Sequence, residues 1–226
     1  MNRNTILILP VLLVVGCKGG DTYTAKPAKK IEPAKVAAGE EAKLYPLTLG
    51  TQWVYATESG GRIDEMTVKV IGIRQEGGAT VATLSTTLVN QTPQTVEVRM
   101  DSTGIYQTTA PKGGTYNPPQ PLLTFPLETE TKTYQMTGPL PVGDQSGPLK
   151  LTLKYIGPQE VDTDMGRMSA LAVESVMSWT TPDGQAQTYA MSWWAPGIGF
   201  VRQRIETTMP QGSQVTLMKL KTYSPG

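Results

Sequence analysis

The sequence predicts an all-β protein: an antiparallel meander of about ten strands, curled into a half-barrel or barrel or folded over as a sandwich. Three observations carry this. Apolar and polar residues alternate with a period of two in many short windows, as in a strand with one dry and one wet face. Clusters of Gly, Pro, Asp and Ser separate those windows at short range, so consecutive strands run antiparallel. No window carries a convincing helical period. With no helix to cover it, the sheet must bury its apolar face against itself.

The chain opens differently. Arg3 is a short positive head, and Ile6 to Val15 runs apolar except for Pro10. That run is about half of the roughly 20 residues a spanning helix needs, and it suits the apolar region of a secretory signal. It ends in Val14-Val15-Gly16-Cys17. This segment resembles the lipobox of bacterial lipoproteins, in which small or branched residues precede an obligatory Cys. The resemblance implies that residues 1–16 are a signal peptide and that Cys17 is lipidated and becomes the first mature residue. Membrane lipid is then a partner through acylated Cys17. Each buried methylene contributes about 0.8 kcal/mol and one chain holds only marginally, so two or three chains make a lasting anchor. The plain alternative is a small core Cys, but Cys17 is the only Cys and lies outside any plausible core. Lys18 follows it, where Asp retains enteric lipoproteins in the inner membrane. By that analogy the protein is exported and anchored to the outer membrane, where one exists.

Residues 17–44 read as a lipidated, flexible tether. Ala, Lys, Glu, Pro and Gly dominate from Lys18 to Lys43, and such a segment cannot bury enough surface to offset its ordering entropy. Val36 to Leu44 suits one or two loose helical turns. Residues 45–226 then form a single all-β domain, long enough for one good core.

Its strands follow in order. Met66, Val68 and Val70 alternate with Thr67 and Lys69; Val96, Val98 and Met100 with Glu97 and Arg99; Leu149, Leu151, Leu153 and Tyr155 with Lys150, Thr152 and Lys154. Leu171, Val173, Met177 and Trp179 share one parity, as do Tyr189, Met191 and Trp193. Ser59-Gly60-Gly61, Glu76-Gly77-Gly78, Asp101-Ser102-Thr103-Gly104, Pro182-Asp183-Gly184 and Pro210-Gln211-Gly212-Ser213 are the turns between them. Pro111 to Gly147 is richer in Pro and Gly, and predicts a long crossover with one short strand near Thr131–Met136. Pro196, Gly197 and Gly199 predict a tight turn between two paired strands, Gln187–Trp194 and Phe200–Thr207. Parity puts Trp193 inside and Trp194 outside. A surface Trp beside a rigid turn either binds a partner or packs under a neighbouring loop, which makes Trp194 the candidate binding surface.

Three local patterns carry a second resemblance. Pro46-Leu47-Thr48-Leu49-Gly50-Thr51-Gln52-Trp53-Val54-Tyr55 has the form P-L-x-x-G-x-x-W-x-Y. Gly166-Arg167-Met168-Ser169-Ala170-Leu171-Ala172-Val173 enters a long strand, and Trp193-Trp194-Ala195-Pro196-Gly197-Ile198-Gly199-Phe200-Val201 contains W-x-A-P-G-I-G-x-V. Together they resemble a loose group of bacterial exported β-domains called TapB-like, mostly without assigned function. The resemblance implies an exported β-domain and no particular chemistry.

Composition removes whole classes of activity. There is no His, which removes Ser-His-Asp and Cys-His nucleophile systems and imidazole metal sites. One Cys excludes an internal disulfide and dithiol redox chemistry. Ser146 lacks the nucleophile-elbow glycines, and Gly197-Ile198-Gly199 lacks the third glycine of a dinucleotide loop. No catalytic, metal or cofactor-binding residue is assigned, and no cofactor is expected. Glu160, Asp162 and Asp164 share a strand face and suit a solvated surface better than a calcium site. Without the leader the basic and acidic residues balance at 19 each, Arg3 being the only charge removed from 20 and 19; nucleic acid is not an expected partner.

Three functions follow. The first is a non-enzymatic, membrane-tethered β-domain that binds or scaffolds another envelope protein. The second is a half-barrel carrier of a hydrophobic ligand, lipid or lipoprotein acyl chain. The third is a carboxylate-based hydrolase. The interior discriminates them: filled for the first, an apolar cavity of a few hundred Å³ for the second, a cleft with two close carboxylates for the third.

Overall fold

The structure is a computed structural model that describes residues 6–8, 11–13 and 40–226. Cys17, the expected cleavage site beside it and residues 18–39 of the expected tether lie outside the described residues. Near the N-terminus, β1 (Ile6–Ile8) and β2 (Val11–Leu13) pair antiparallel, with Ile6 opposite Leu13. Among the described residues no helix is long and apolar enough to cross a membrane.

The domain is a closed antiparallel barrel of twelve strands. They are β3 (Gln52–Ser59), β4 (Arg62–Glu76), β5 (Ala79–Leu88), β6 (Gln94–Asp101), β7 (Gly104–Thr109), β8 (Thr115–Thr124), β9 (Lys132–Pro139), β10 (Ser146–Thr163), β11 (Gly166–Thr181), β12 (Gly184–Ala195), β13 (Gly199–Met209) and β14 (Gly212–Ser224). Each pairs with its neighbours in sequence, and β14 closes onto β3, with Leu220 opposite Tyr55. Closure of β14 onto β3 leaves no free edge at the first and last strands of the barrel. The predicted turns fall between paired strands: Gly60 and Gly61 join β3 to β4, and Pro182-Asp183 joins β11 to β12.

The barrel has twelve strands against about ten expected. Within the segment predicted as a crossover, β9 takes the place of the short strand expected near Thr131–Met136, β8 is a strand the sequence did not announce, and β10 begins before the segment ends. Pro118, Pro119 and Pro121 hide β8 in the sequence, since each lacks the N–H that a ladder uses. They also weaken the wall. β8 meets β9 through a single bridge pair, Asn117 opposite Thr137, whereas β9 meets β10 along eight residues from Pro139 to Lys132.

The apolar residues of the alternating windows point inward. Met66, Val68, Val70, Val96, Val98, Leu149 and Leu151 are buried, while Lys69, Arg99, Lys150 and Lys154 are exposed. An apolar lumen and a charged exterior reverse the pattern of a membrane-spanning barrel.

A short 3-10 turn, Glu41–Leu44, precedes β3. Leu44, one residue before the expected start of the domain, is fully buried in the main core with Tyr45 and Leu47. The Gly197 N–H donates to the Lys43 carbonyl at 3.0 Å. Burying Leu44 is worth about 1.5–3 kcal/mol. A chain starting at Glu40 is therefore expected to outlast one starting at Tyr45 in urea by about that amount, and equal midpoints would deny Leu44 its role in the core.

Candidate functional site

The two tryptophan motifs, far apart in sequence, meet at one end of the barrel. Trp53 Nε1 donates to the Ile198 carbonyl at 2.6 Å, and Tyr55 Oη donates to the Phe200 carbonyl at 3.0 Å. Tyr45 lies 5.3 Å from Trp53 and 5.4 Å from Trp194, ring centre to ring centre, and Trp194 lies 5.4 Å from Phe200. Edge-to-face and tilted pairs at these spacings add to area burial. Gly199 sits at φ +99°, and a Cβ there would stand 3.0 Å from the Tyr45 ring, so glycine meets both the backbone and the packing demand. These motifs build an end plug.

The parity predicted for β12 is reversed. Trp194, the candidate binding surface, is 3% exposed and belongs to the core. Trp193 lies on the outer wall, where its Nε1 donates to Gln159 Oε1 at 2.9 Å and Arg202 stacks on its ring at 5.5 Å. Tyr189 and Met191 share that outer face, while Thr188, Ala190 and Ser192 point inward and are buried. The reversal runs from Ala186 to Trp194, because the lumen at this level takes small and polar side chains. The bulge opposite Trp193 and Trp194 falls on β13, where Val201 is the extra residue, and leaves the alternation of β12 intact. Apolar-inward reasoning therefore selects the wrong face.

Among the described residues, two apolar clusters fill the lumen. One cluster, around Trp53, Met66, Leu84 and Trp194, occupies one end; a second, around Tyr116, Leu149, Met177 and Trp179, occupies the other. Between them a cavity of about 40 Å³ remains, lined in part by Gln120, Ser192 and Gln203. No carboxylate lines it.

The acidic residues named in the sequence lie outside. Asp162 pairs with Arg167 at 2.8 Å and Asp164 with Lys219 at 2.7 Å. The hydrogen bond from Arg167 holds the Asp162 carboxyl below its ordinary range. That favours a permanent anion over a general acid. Among the described residues no group of three or more His, Cys, Asp or Glu could hold a metal.

The outer wall carries a recess of about 350 Å³ formed by β3, β4 and β14, together with Arg202 and Asp164. Ile63 and Leu217, 46% and 37% exposed, supply apolar surface. Lys221–Glu65 and Lys219–Asp164 supply a charged rim. Arg202 links this recess to Trp193 through its stacked ring. Sequence reasoning missed it because Ile63 and Leu217 lie on different, distant strands, and only the β14–β3 closure brings them together.

No family model matches the chain, and no curated protein matches it. Solved structures do. A candidate lipoprotein from Parabacteroides distasonis ATCC 8503 aligns with a TM-score of 0.55 and 12% identity, over 80% of this chain and 98% of its own. A candidate exported protein with a YmcC-like fold from Bacteroides fragilis NCTC 9343 aligns with a TM-score of 0.53 and 14% identity, again over 80% and 98%. At these identities the likeness is one of fold alone.

Proposed function

We propose that the chain is an exported envelope lipoprotein, anchored through acylated Cys17, whose barrel binds or scaffolds another envelope component without catalysis. The observation that carries this reading is the filled lumen. A ligand pocket runs to about 300–1,000 Å³, against about 40 Å³ inside this barrel. A lipid carrier needs the larger space, and a carboxylate hydrolase needs a paired acid that the lumen lacks. The fold shared with a candidate lipoprotein and a candidate exported protein supports the envelope setting. The lipobox-like Val14-Val15-Gly16-Cys17 supports the anchor, and Lys18 supports the outer membrane. Binding is assigned to the outer wall, where the recess beside Ile63 and Leu217 offers apolar area.

Anchoring has a direct test. Cells grown with radiolabelled palmitate should label the wild-type protein and not Cys17→Ser. The variant should also keep its leader, leaving it uncut by the lipoprotein peptidase, as globomycin treatment leaves the wild type. Label on Cys17→Ser would refute the anchor.

A further inference from the structure

The two apolar clusters of the lumen are separated by a polar layer. Gln120 on β8, Ser175 on β11, Thr188 and Ser192 on β12, and Gln203 on β13 face one cavity of about 40 Å³. Part of this polarity is satisfied within the wall. Gln203 Nε2 donates to Ser192 Oγ at 2.8 Å, and the Thr188 and Thr207 hydroxyls lie 3.0 Å apart.

Three atoms that belong to residues lining the cavity have no protein partner: Gln120 Oε1, Gln203 Oε1 and Trp194 Nε1. Their residues are only 6%, 3% and 3% exposed. Rotating the Gln203 amide does not remove the problem. Its oxygen would then accept from Ser192, and its nitrogen would be left over. An unpaired buried donor or acceptor costs more than a made hydrogen bond gains, so buried polar groups are partnered as a rule.

The chemistry of the partner follows from the lining. Two acceptors and one donor require a molecule that both donates and accepts. No Asp, Glu, Lys or Arg lines the cavity, so that molecule is neutral. Its size follows from the volume. One water needs roughly 10–15 Å³ of such space, so about three fit.

We propose that this cavity is a binding site for a small neutral hydrogen-bonding ligand, a cluster of about three water molecules that bridges Gln120, Gln203 and Trp194 across the lumen. The cluster ties β8 to β12 and β13 from the inside. That is where the wall needs support, because a single bridge pair joins β8 to β9. It also interrupts the apolar lumen, so no continuous path for an acyl chain runs through the barrel.

The test is a high-resolution crystal structure of the protein, paired with water relaxation dispersion in solution. The crystal should show two to four ordered waters within hydrogen-bond distance of the three atoms. In solution, Q120L/Q203L should lose the same number of long-lived waters. A cavity without density, density for a larger molecule, or side chains turned to pair with one another would overturn the proposal. So would unchanged dispersion in a folded double variant. Should that variant not fold, the wild-type crystal decides alone.

Discussion

Trp194→Ala is expected to destabilise the barrel by about 3–5 kcal/mol, and Trp193→Ala by about 1 kcal/mol. The two residues are adjacent and chemically identical, so only their placement differs. Trp194 is buried against Tyr45 and Phe200 in the end plug. Truncating it leaves a cavity beside rings that have no way to collapse, because the 195–199 turn and the Tyr45 segment hold them. Trp193 keeps one face toward solvent under Arg202 and loses mainly a cation–π contact and one hydrogen bond. Urea unfolding of both variants measures the difference. A larger loss for Trp193→Ala would place the strand in the opposite register and dismantle the plug.

Alkali is expected to unfold the protein in one cooperative step above about pH 10. Burial pushes the Tyr45, Tyr55 and Tyr116 phenols well above their ordinary pKa, and the neighbouring Tyr45 raises Tyr55 further. A phenol whose folded pKa exceeds its unfolded one stabilises the fold fully below the unfolded value. That contribution falls as pH rises past about 10 toward the folded value. Phenolate absorbance and loss of the β-sheet dichroism should therefore rise together for the buried group. Normal titration of all nine tyrosines with an unchanged sheet would contradict the burial of these rings. Tyr55→Phe should shift the transition to higher pH. It removes one titrating group and spares the ring, at the cost of its hydrogen bond to the Phe200 carbonyl.

The legible parts of the fold were those in which charge marks the outer face. On β4, β6 and β10 the intervening Lys69, Arg99, Lys150 and Lys154 leave one side for the core, and alternation reads correctly. On β13, Arg202, Arg204 and Glu206 do the same, and Val201 and Ile205 are buried as expected. β12 has no charge to mark its faces. Its outward Tyr189 is instead tied to Glu174 on β11 by a hydrogen bond of 3.1 Å, and its inward side faces the polar layer. β8 failed for a different reason: three prolines disguise a strand that a closed barrel can hold with one bridge pair to β9. The end plug was visible as two motifs but not as one object, since nothing local says that Trp53 and Ile198 touch. The recess beside Ile63 and Leu217 had no signal at all, being a product of closure between the first and last barrel strands.

A covalently lipidated chain with a full barrel has a defined mass, and native mass spectrometry of the full-length protein extracted from membranes reads it. The expected species begins at Cys17 and carries a covalent diacylglyceryl group, with or without an N-linked acyl chain, and no further lipid. A stoichiometric, non-covalent lipid that leaves on gentle activation would contradict the filled lumen and revive the carrier. A chain that keeps residues 1–16 and carries no lipid would contradict the anchor at Cys17.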